Sequence, residues 1–129
     1  MSATSPKPDW SADIRRRIEQ TLESAFAACP PTELIRAARY ATLGGGHRWR
    51  GLMAVAAGAI FRADAEEAVL PLAAALEMLQ AASLALDDLP SMDNAATRRG
   101  RACVHLVFPD WVVDLLPAFL VNLAYHVAL

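Results

Sequence analysis

The feature that most constrains this chain is a long apolar run, from about Glu66 to Leu89, that ends in two adjacent carboxylates, Asp87 and Asp88. Alanine and leucine dominate it, and both favour helix. Packing such a helix into a core leaves the aspartate pair at the mouth of apolar surroundings, which is costly without a cation or hydrogen-bond partner. Partners lie close in sequence. Asp93 follows, and Arg98, Arg99 and Arg101 close the segment Leu84–Arg101, L-A-L-D-D-L-P-S-M-D-N-A-A-T-R-R-G-R. Mg2+ takes oxygen donors, commonly one or two carboxylates together with substrate phosphates. Arginine offers planar, permanently charged donors that match phosphate oxygens. The segment therefore reads as a grip on a diphosphate, by metal on one side and guanidinium on the other. The bland alternative is a solvated helix end.

A second basic segment lies upstream. Gly44–Gly46 supplies backbone that can approach a ligand closely, and H-R-W-R follows at once. Loop amides with His47, Arg48 and Arg50 at a helix start form a candidate anion site; the alternative is a simple helix–helix turn. Between the two segments, Gln80, Ser83 and Asp87 fall on one face of the long helix, with Leu76, Leu79, Leu84 and Leu86 packing elsewhere.

The fold class expected is all-α. With 55% hydrophobic residues but only 7% aromatic ones, the chain has material for one core and little preference for sheet. Helices are expected near 11–28, 33–43, 48–63 and 66–89, with another after about 109. Ser11 and Thr32 are the candidate caps. Cys29-Pro30-Pro31 breaks the first helix and Leu89-Pro90 the fourth, and the 49–63 stretch should be buried on most faces. Arg15–Arg17 read as a solvated face. Pro109, Trp111 and Pro117 read as a broken, amphipathic tail. Residues 1–10 read as a disordered leader, leaving 11–129 as the folded domain. A net charge of −2 indicates no general polyanion-binding surface, so the arginines act locally and no nucleic-acid partner is expected. Two cysteines, Cys29 and Cys103, make neither a disulfide framework nor a zinc site and suit a reducing compartment. With no apolar leader, the expectation is a cytoplasmic protein without a membrane span, its apolar tail being a core or partner helix.

Three stretches, in order, resemble the trans-isoprenyl diphosphate synthases, the polyprenyl synthetase family that includes geranylgeranyl and farnesyl diphosphate synthases. D-D-L-P-S-M-D followed by R-R-G is similar to that family's first aspartate-rich motif in its longer D-D-x-x-x-x-D form. Tyr40–Leu52, Y-A-T-L-G-G-G-H-R-W-R-G-L, resembles Y-A-L-L-A-G-G-K-R-L-R-P-L. Leu76–Asp88, L-E-M-L-Q-A-A-S-L-A-L-D-D, resembles L-E-L-I-H-A-A-S-L-I-H-D-D. Beyond Gly100, A-C-V-H-L-V-F is similar to P-T-V-H-K-V-F. The likeness covers roughly residues 34–108 and weakens where the family carries a Gly-Asp pair, at Pro117 and Ala118.

The resemblance implies the N-terminal part of an isoprenoid-synthase helical bundle. It implies Mg2+-dependent condensation of an allylic diphosphate with isopentenyl diphosphate. Asp87 and Asp93 would be Mg2+ ligands with Asp88 in their support, and Arg98 would hold the allylic diphosphate. His47, Arg50, Gln80 and Arg99 would hold isopentenyl diphosphate. His47 and Gln80 stand where the family carries lysine and histidine, and Gly51 where it carries proline; each departure weakens the second-substrate site more than the metal site. The family's second aspartate-rich motif has no counterpart in residues 109–129, so the chain would supply half of the metal cage and one wall of the prenyl pocket. Two alternatives stand beside that reading: a non-catalytic subunit bound to a full-length synthase, and a helical interaction module derived from the family. A half-bundle should also expose an apolar patch on the 66–89 helix and the tail, and associate with itself. Ala82 and Ser83, just before Asp87, are small where a large aromatic in the family stops the growing prenyl tail. They point to a C20 geranylgeranyl product over a C15 farnesyl one.

Overall fold

The alanine- and leucine-rich run folds as the central helix of a bundle. In the computed structural model, which describes residues 9–129, the helices are α1 (Trp10–Ala27), α2 (Glu33–Leu43), α3 (Trp49–Phe61), α4 (Ala65–Asp87), α5 (Val104–Val107) and α6 (Asp110–Ala128). Strands β1 (Thr97–Arg98) and β2 (Arg101–Ala102) pair antiparallel and form the only sheet among the described residues. The fold is all-α, as the sequence implies. Helix α4 packs chiefly against α6 and α3, and also meets α1 and α2. Its small residues permit that many neighbours: Ala73, Ala74, Ala75, Ala81, Ala82 and Ala85 are buried around Met78. Helix α1 adds Ile14, Ile18, Leu22 and Phe26, a stripe of one residue per turn that faces the core.

The start of α1 lies earlier than the sequence suggests, because Asp9 caps it in place of Ser11. Asp9 Oδ1 accepts from the backbone N–H groups of Ser11 at 3.0 Å and Ala12 at 3.4 Å. Trp10 donates from Nε1 to Glu66 at 2.8 Å, so Asp9 and Trp10 belong to the fold and not to a disordered leader. The rest of that stretch, residues 1–8, lies outside the described residues. Thr32 caps α2 as expected, accepting from Ile35 N–H at 3.3 Å. The arginines of α1 are less solvated than expected: Arg17 reaches Glu66 and Glu67 on α4, and Arg15 donates to the His47 carbonyl.

Two further expectations need correction. Helix α6 runs unbroken through Pro117, which is buried in the core row of that helix. Proline's fixed φ is already helical, and tertiary packing outweighs the one backbone bond it removes. Helix α3 is buried only at Gly51, Leu52 and Val55, while Trp49, Met53, Ile60 and Phe61 are exposed. It is an edge helix. Gly58 sets its approach to α4, since a Cβ there would come within 2.7 Å of Val69.

The apolar patch expected on α4 and the tail is present. Leu72, Leu79 and Leu86 are exposed along α4, as are Trp111, Leu115, Val121 and Tyr125 along α6. By length and composition both helices are apolar enough to cross a membrane, and each is the other's main packing partner. Core truncation should be costly here. Phe26→Ala, at a side chain 1% exposed, is expected to lower the unfolding free energy by about 3–5 kcal/mol, read as a shift in the urea midpoint.

Candidate functional site

The site begins where α4 ends. Asp87 is the last helical residue and Asp88 its C-cap. The turn that follows folds the chain back: the N–H of Asp93 donates to the Asp87 carbonyl at 2.9 Å, and Asn94, at φ 48°, donates to Leu89 at 2.9 Å. Asp93 thus returns to Asp87, and both side chains are exposed. Asp88 points inward. It is 4% exposed and accepts two parallel bonds from Arg98, Nε and Nη2, each at 2.7 Å. Of the three candidate metal ligands, Asp88 is therefore already neutralised by Arg98. Among the described residues, no three His, Cys, Asp or Glu side chains converge as a cluster that could hold a metal ion.

Arg98 sits on a hairpin the sequence did not announce. Strands β1 and β2 are joined by Arg99 and Gly100, at φ 52° and 75°, the two left-handed residues that suit a two-residue hairpin turn. Glycine takes that conformation freely, whereas Arg99 is held in it by its side chain, which donates to the Gly45 carbonyl. The guanidinium lies so close under Gly46 that a Cβ there would be 2.7 Å from it. The hairpin is fastened a third time through Tyr40, whose hydroxyl donates to the Ala102 carbonyl at 2.7 Å while Arg101 stacks 3.9 Å over its ring. Between hairpin, α2 and α4 lies a cavity of about 40 Å³ lined by Gly44, Leu84, Asp88, Arg98 and Arg99.

The glycine loop divides its basic residues between two directions. His47 and Arg50 are exposed, as a ligand-facing role requires. Arg48 is not part of an outward anion site. It is 4% exposed, at φ 54°, and its guanidinium donates to Glu19 at 2.6 Å and to the Thr42 carbonyl at 2.7 Å, with Glu77 at 3.7 Å. Gln80 lines a narrow crevice with Thr42, Arg48, Glu77 and Arg99, so two of the residues expected at the second diphosphate, Gln80 and Arg99, do meet. The Thr42 hydroxyl, facing this crevice, is the one buried side-chain polar atom among the described residues without a hydrogen-bond partner. Sequence reasoning passed over Glu77. Its signal was a lone carboxylate inside an apolar helix, one turn before Gln80.

Gln80 and Ser83 do not share a wall, contrary to expectation. Gln80 and Leu84 face the crevice, whereas Ser83 opens with Ala82, Leu79, Leu86, Pro117, Val121 and Tyr125 onto a groove of about 590 Å³ between α4 and α6. Ala82 and Ser83, the candidate chain-length positions, are thus both in that groove. Leu79 and Leu86 rim it in place of packing in the core.

Charge pairing explains the titration of these groups. The hydrogen bonds from Arg98 hold the Asp88 carboxyl below its ordinary range, against the opposing effect of burial, and Asp88 raises Arg98 in return. Burial pushes the Cys103 thiol up, and the nearby Asp88 carboxylate adds to that. Arg99 is pulled the other way, first by desolvation and then by the like charges of Arg48 and Arg98.

Comparison with known proteins places these features in a family. Residues 31–126 match the Polyprenyl synthetase family. A probable farnesyl diphosphate synthase of Sinorhizobium fredii is 44% identical over 104 residues, which cover 78% of this chain and 31% of the relative. The large subunit 2 of a heterodimeric geranylgeranyl pyrophosphate synthase from Arabidopsis thaliana is 36% identical over 84% of this chain and 29% of its own length. In structure, the geranyltranstransferase of Thermotoga maritima superposes with a TM-score of 0.85 at 28% identity, covering 92% of this chain and 44% of that one. The chain spans about a third of the length of the curated relatives it matches.

Asp88→Asn tests the first anchor. Because the hydrogen bonds from Arg98 hold the folded-state pKa of Asp88 below the ordinary carboxylate range, the unfolded chain binds the proton more readily. The pair's stabilisation is complete above that range and fades as pH falls through the depressed pKa. The variant should lose about 1.5–3 kcal/mol at neutral pH, the worth of a charge-assisted hydrogen-bonded pair. Its stability should also fall less steeply than that of the parent below pH 4, as read by denaturant titration across pH.

Proposed function

Because this chain belongs to the polyprenyl synthetase family, we propose that it carries the first half of a prenyl diphosphate synthase site, holding two diphosphates between α4, the glycine loop and the β1–β2 hairpin. The observation that carries the reading is that Arg99 lines one crevice with Gln80 and the adjoining cavity with Arg98, near the end of α4 where Asp87 and Asp93 are exposed. Those two carboxylates suit Mg2+, which commonly takes one or two protein carboxylates and completes its shell with substrate oxygens. When bound, the ion neutralises a departing diphosphate. Arg98 commits Nε and Nη2 to Asp88 and keeps Nη1 for the allylic diphosphate. Arg99 exchanges its bond to the Gly45 carbonyl for phosphate oxygens, and His47, Arg50 and Gln80 complete the cradle of isopentenyl diphosphate. The allylic C–O bond breaks, diphosphate leaves, and the double bond of the second substrate attacks the cation before losing a proton. The protein's part is positioning and fixed charge.

The exposed apolar faces of α4 and α6 favour action within a larger assembly, either with a second copy of this chain or as a subunit beside a longer synthase of the cytoplasm. Calorimetry with inorganic pyrophosphate and Mg2+ tests the site on the chain itself. Binding should require Mg2+, and Asp87→Asn with Asp93→Asn should weaken it by about tenfold or more, roughly 1.4 kcal/mol. Arg99→Gln should weaken it comparably. Metal-independent binding, or none, would overturn the reading in favour of a helical interaction module.

The groove at Ala82 and Ser83 suits the prenyl tail of a C20 product. Residues 34–108 grafted into a complete farnesyl-producing relative should lengthen its product, and Ala82→Tyr should shorten it again by filling the groove. An active chimera that still makes only the C15 product would defeat this assignment.

A further inference from the structure

Two buried carboxylates on α4 organise the basic segments, and only Asp88 belongs to the aspartate-rich stretch. The other is Glu77, 6% exposed, eleven residues earlier, which is about three helical turns and so the same face. Its two oxygens do different things. Oε1 accepts the backbone N–H of Gly51 at 2.8 Å, satisfying one of the unpaired amides in the first turn of α3. No side chain of α3's own start does this: the N-cap is Arg48, in the left-handed conformation and without a side-chain cap bond. Oε2 faces Arg48 Nη1 at 3.7 Å, and the same guanidinium ties Glu19 of α1 to the Thr42 carbonyl near the end of α2. Glu77 therefore holds Arg48 and Gly51, the residues directly after His47 and Arg50, the two side chains the loop turns outward. Gly51 is small for the same reason: a Cβ there would meet Ile18 at 2.8 Å and the Glu77 carboxylate at 3.4 Å.

We propose that Glu77, acting through Arg48 and Gly51, is a positioning residue for the second diphosphate site, fixing the loop that presents His47 and Arg50 opposite Gln80 and Arg99. This rests on the reading of that site as a diphosphate cradle. Glu77 touches no substrate itself. Its carboxylate serves as an interhelical cap and as counter-charge to a buried arginine, so removing its charge frees the loop while leaving the outward residues chemically intact.

The test compares the full chain with Glu77→Gln, which keeps an acceptor for Gly51 but no charge, and with the double variant Arg48→Met with Glu77→Gln, in which neither charge is buried. Hydrogen exchange of the amides of residues 44–51 is followed without ligand, and inorganic pyrophosphate affinity is measured with Mg2+. Glu77→Gln should speed loop exchange by about tenfold or more relative to the α4 core and weaken pyrophosphate binding by about tenfold. The double variant should recover melting temperature, because no charge is left buried alone, yet remain fast in loop exchange and weak in binding. If Glu77→Gln does not fold, the double variant carries the comparison alone. Loop exchange and affinity that stay at parental values in a folded variant would overturn the proposal. So would their return together with melting temperature in the double variant, which is what a merely structural ion pair predicts. Should the parent chain fail to bind pyrophosphate, the diphosphate reading falls, and the loop exchange still decides whether Glu77 fixes the loop.

Discussion

The structure depends on the placement of negative charge along one face of α4. Glu77 and Asp88 are both nearly inaccessible to water, and a carboxylate buried in such surroundings is tolerated only when hydrogen-bonded to a cation or to amides. Each meets that demand by capturing a segment distant from the core. Asp88 takes the hairpin through Arg98, and Glu77 takes the glycine loop through Arg48 and Gly51. The helix between them contributes Gln80 and Leu84, which line the space the two captured segments enclose. A central helix with no side chain larger than alanine at six of its core positions can be approached by four other helices. The fold and the site are thus set by the same residues.

The outward side of the bundle obeys a different rule. Leu72, Leu79 and Leu86 repeat at seven-residue spacing on α4 and remain exposed; Trp111, Leu115, Val121 and Tyr125 are exposed on α6, the last two lining the groove. Apolar area of this regularity on two adjacent helices exceeds the scattered exposure normal for a soluble surface. The relatives this chain matches are about three times as long. The groove with Ala82 and Ser83 lies between these two faces.

Sequence reading recovered the helices because their signals are periodic and local: the α2 bounds and the Thr32 cap follow from spacing and capping chemistry, while α4 ends at Asp87, two residues before the Leu89 expected. The turn that brings Asp93 to Asp87 follows the break that the sequence places at Leu89-Pro90. Sequence reading misjudged α3 and Pro117, where burial depends on what lies alongside and not on the residue's own character. Nor did it see which way Arg48 points. Four basic or aromatic residues follow the glycines, and nothing local distinguishes the one that turns inward. That choice belongs to Glu77 and Glu19, far away in sequence. The hairpin was hidden for a related reason: an Arg-Gly pair is a weak turn signal, and the left-handed Arg99 is sustained by a tertiary bond to Gly45.

That bond has a consequence for how the two diphosphate grips relate. Arg99 belongs to the hairpin anchored by Asp88, and Gly45 belongs to the loop anchored by Glu77, so the bond joins the two captured segments across the mouth of the site. Desolvation, and after it the like charges of Arg48 and Arg98, disfavour the protonated form of Arg99. On the proposed reading, a phosphate oxygen there would replace the neutral Gly45 carbonyl with a charged acceptor, a stronger class of hydrogen bond. Breaking that bond and loading the proposed site would then be one event, with Asp88 and Glu77 still holding the hairpin and the loop through Arg98, Arg48 and Gly51.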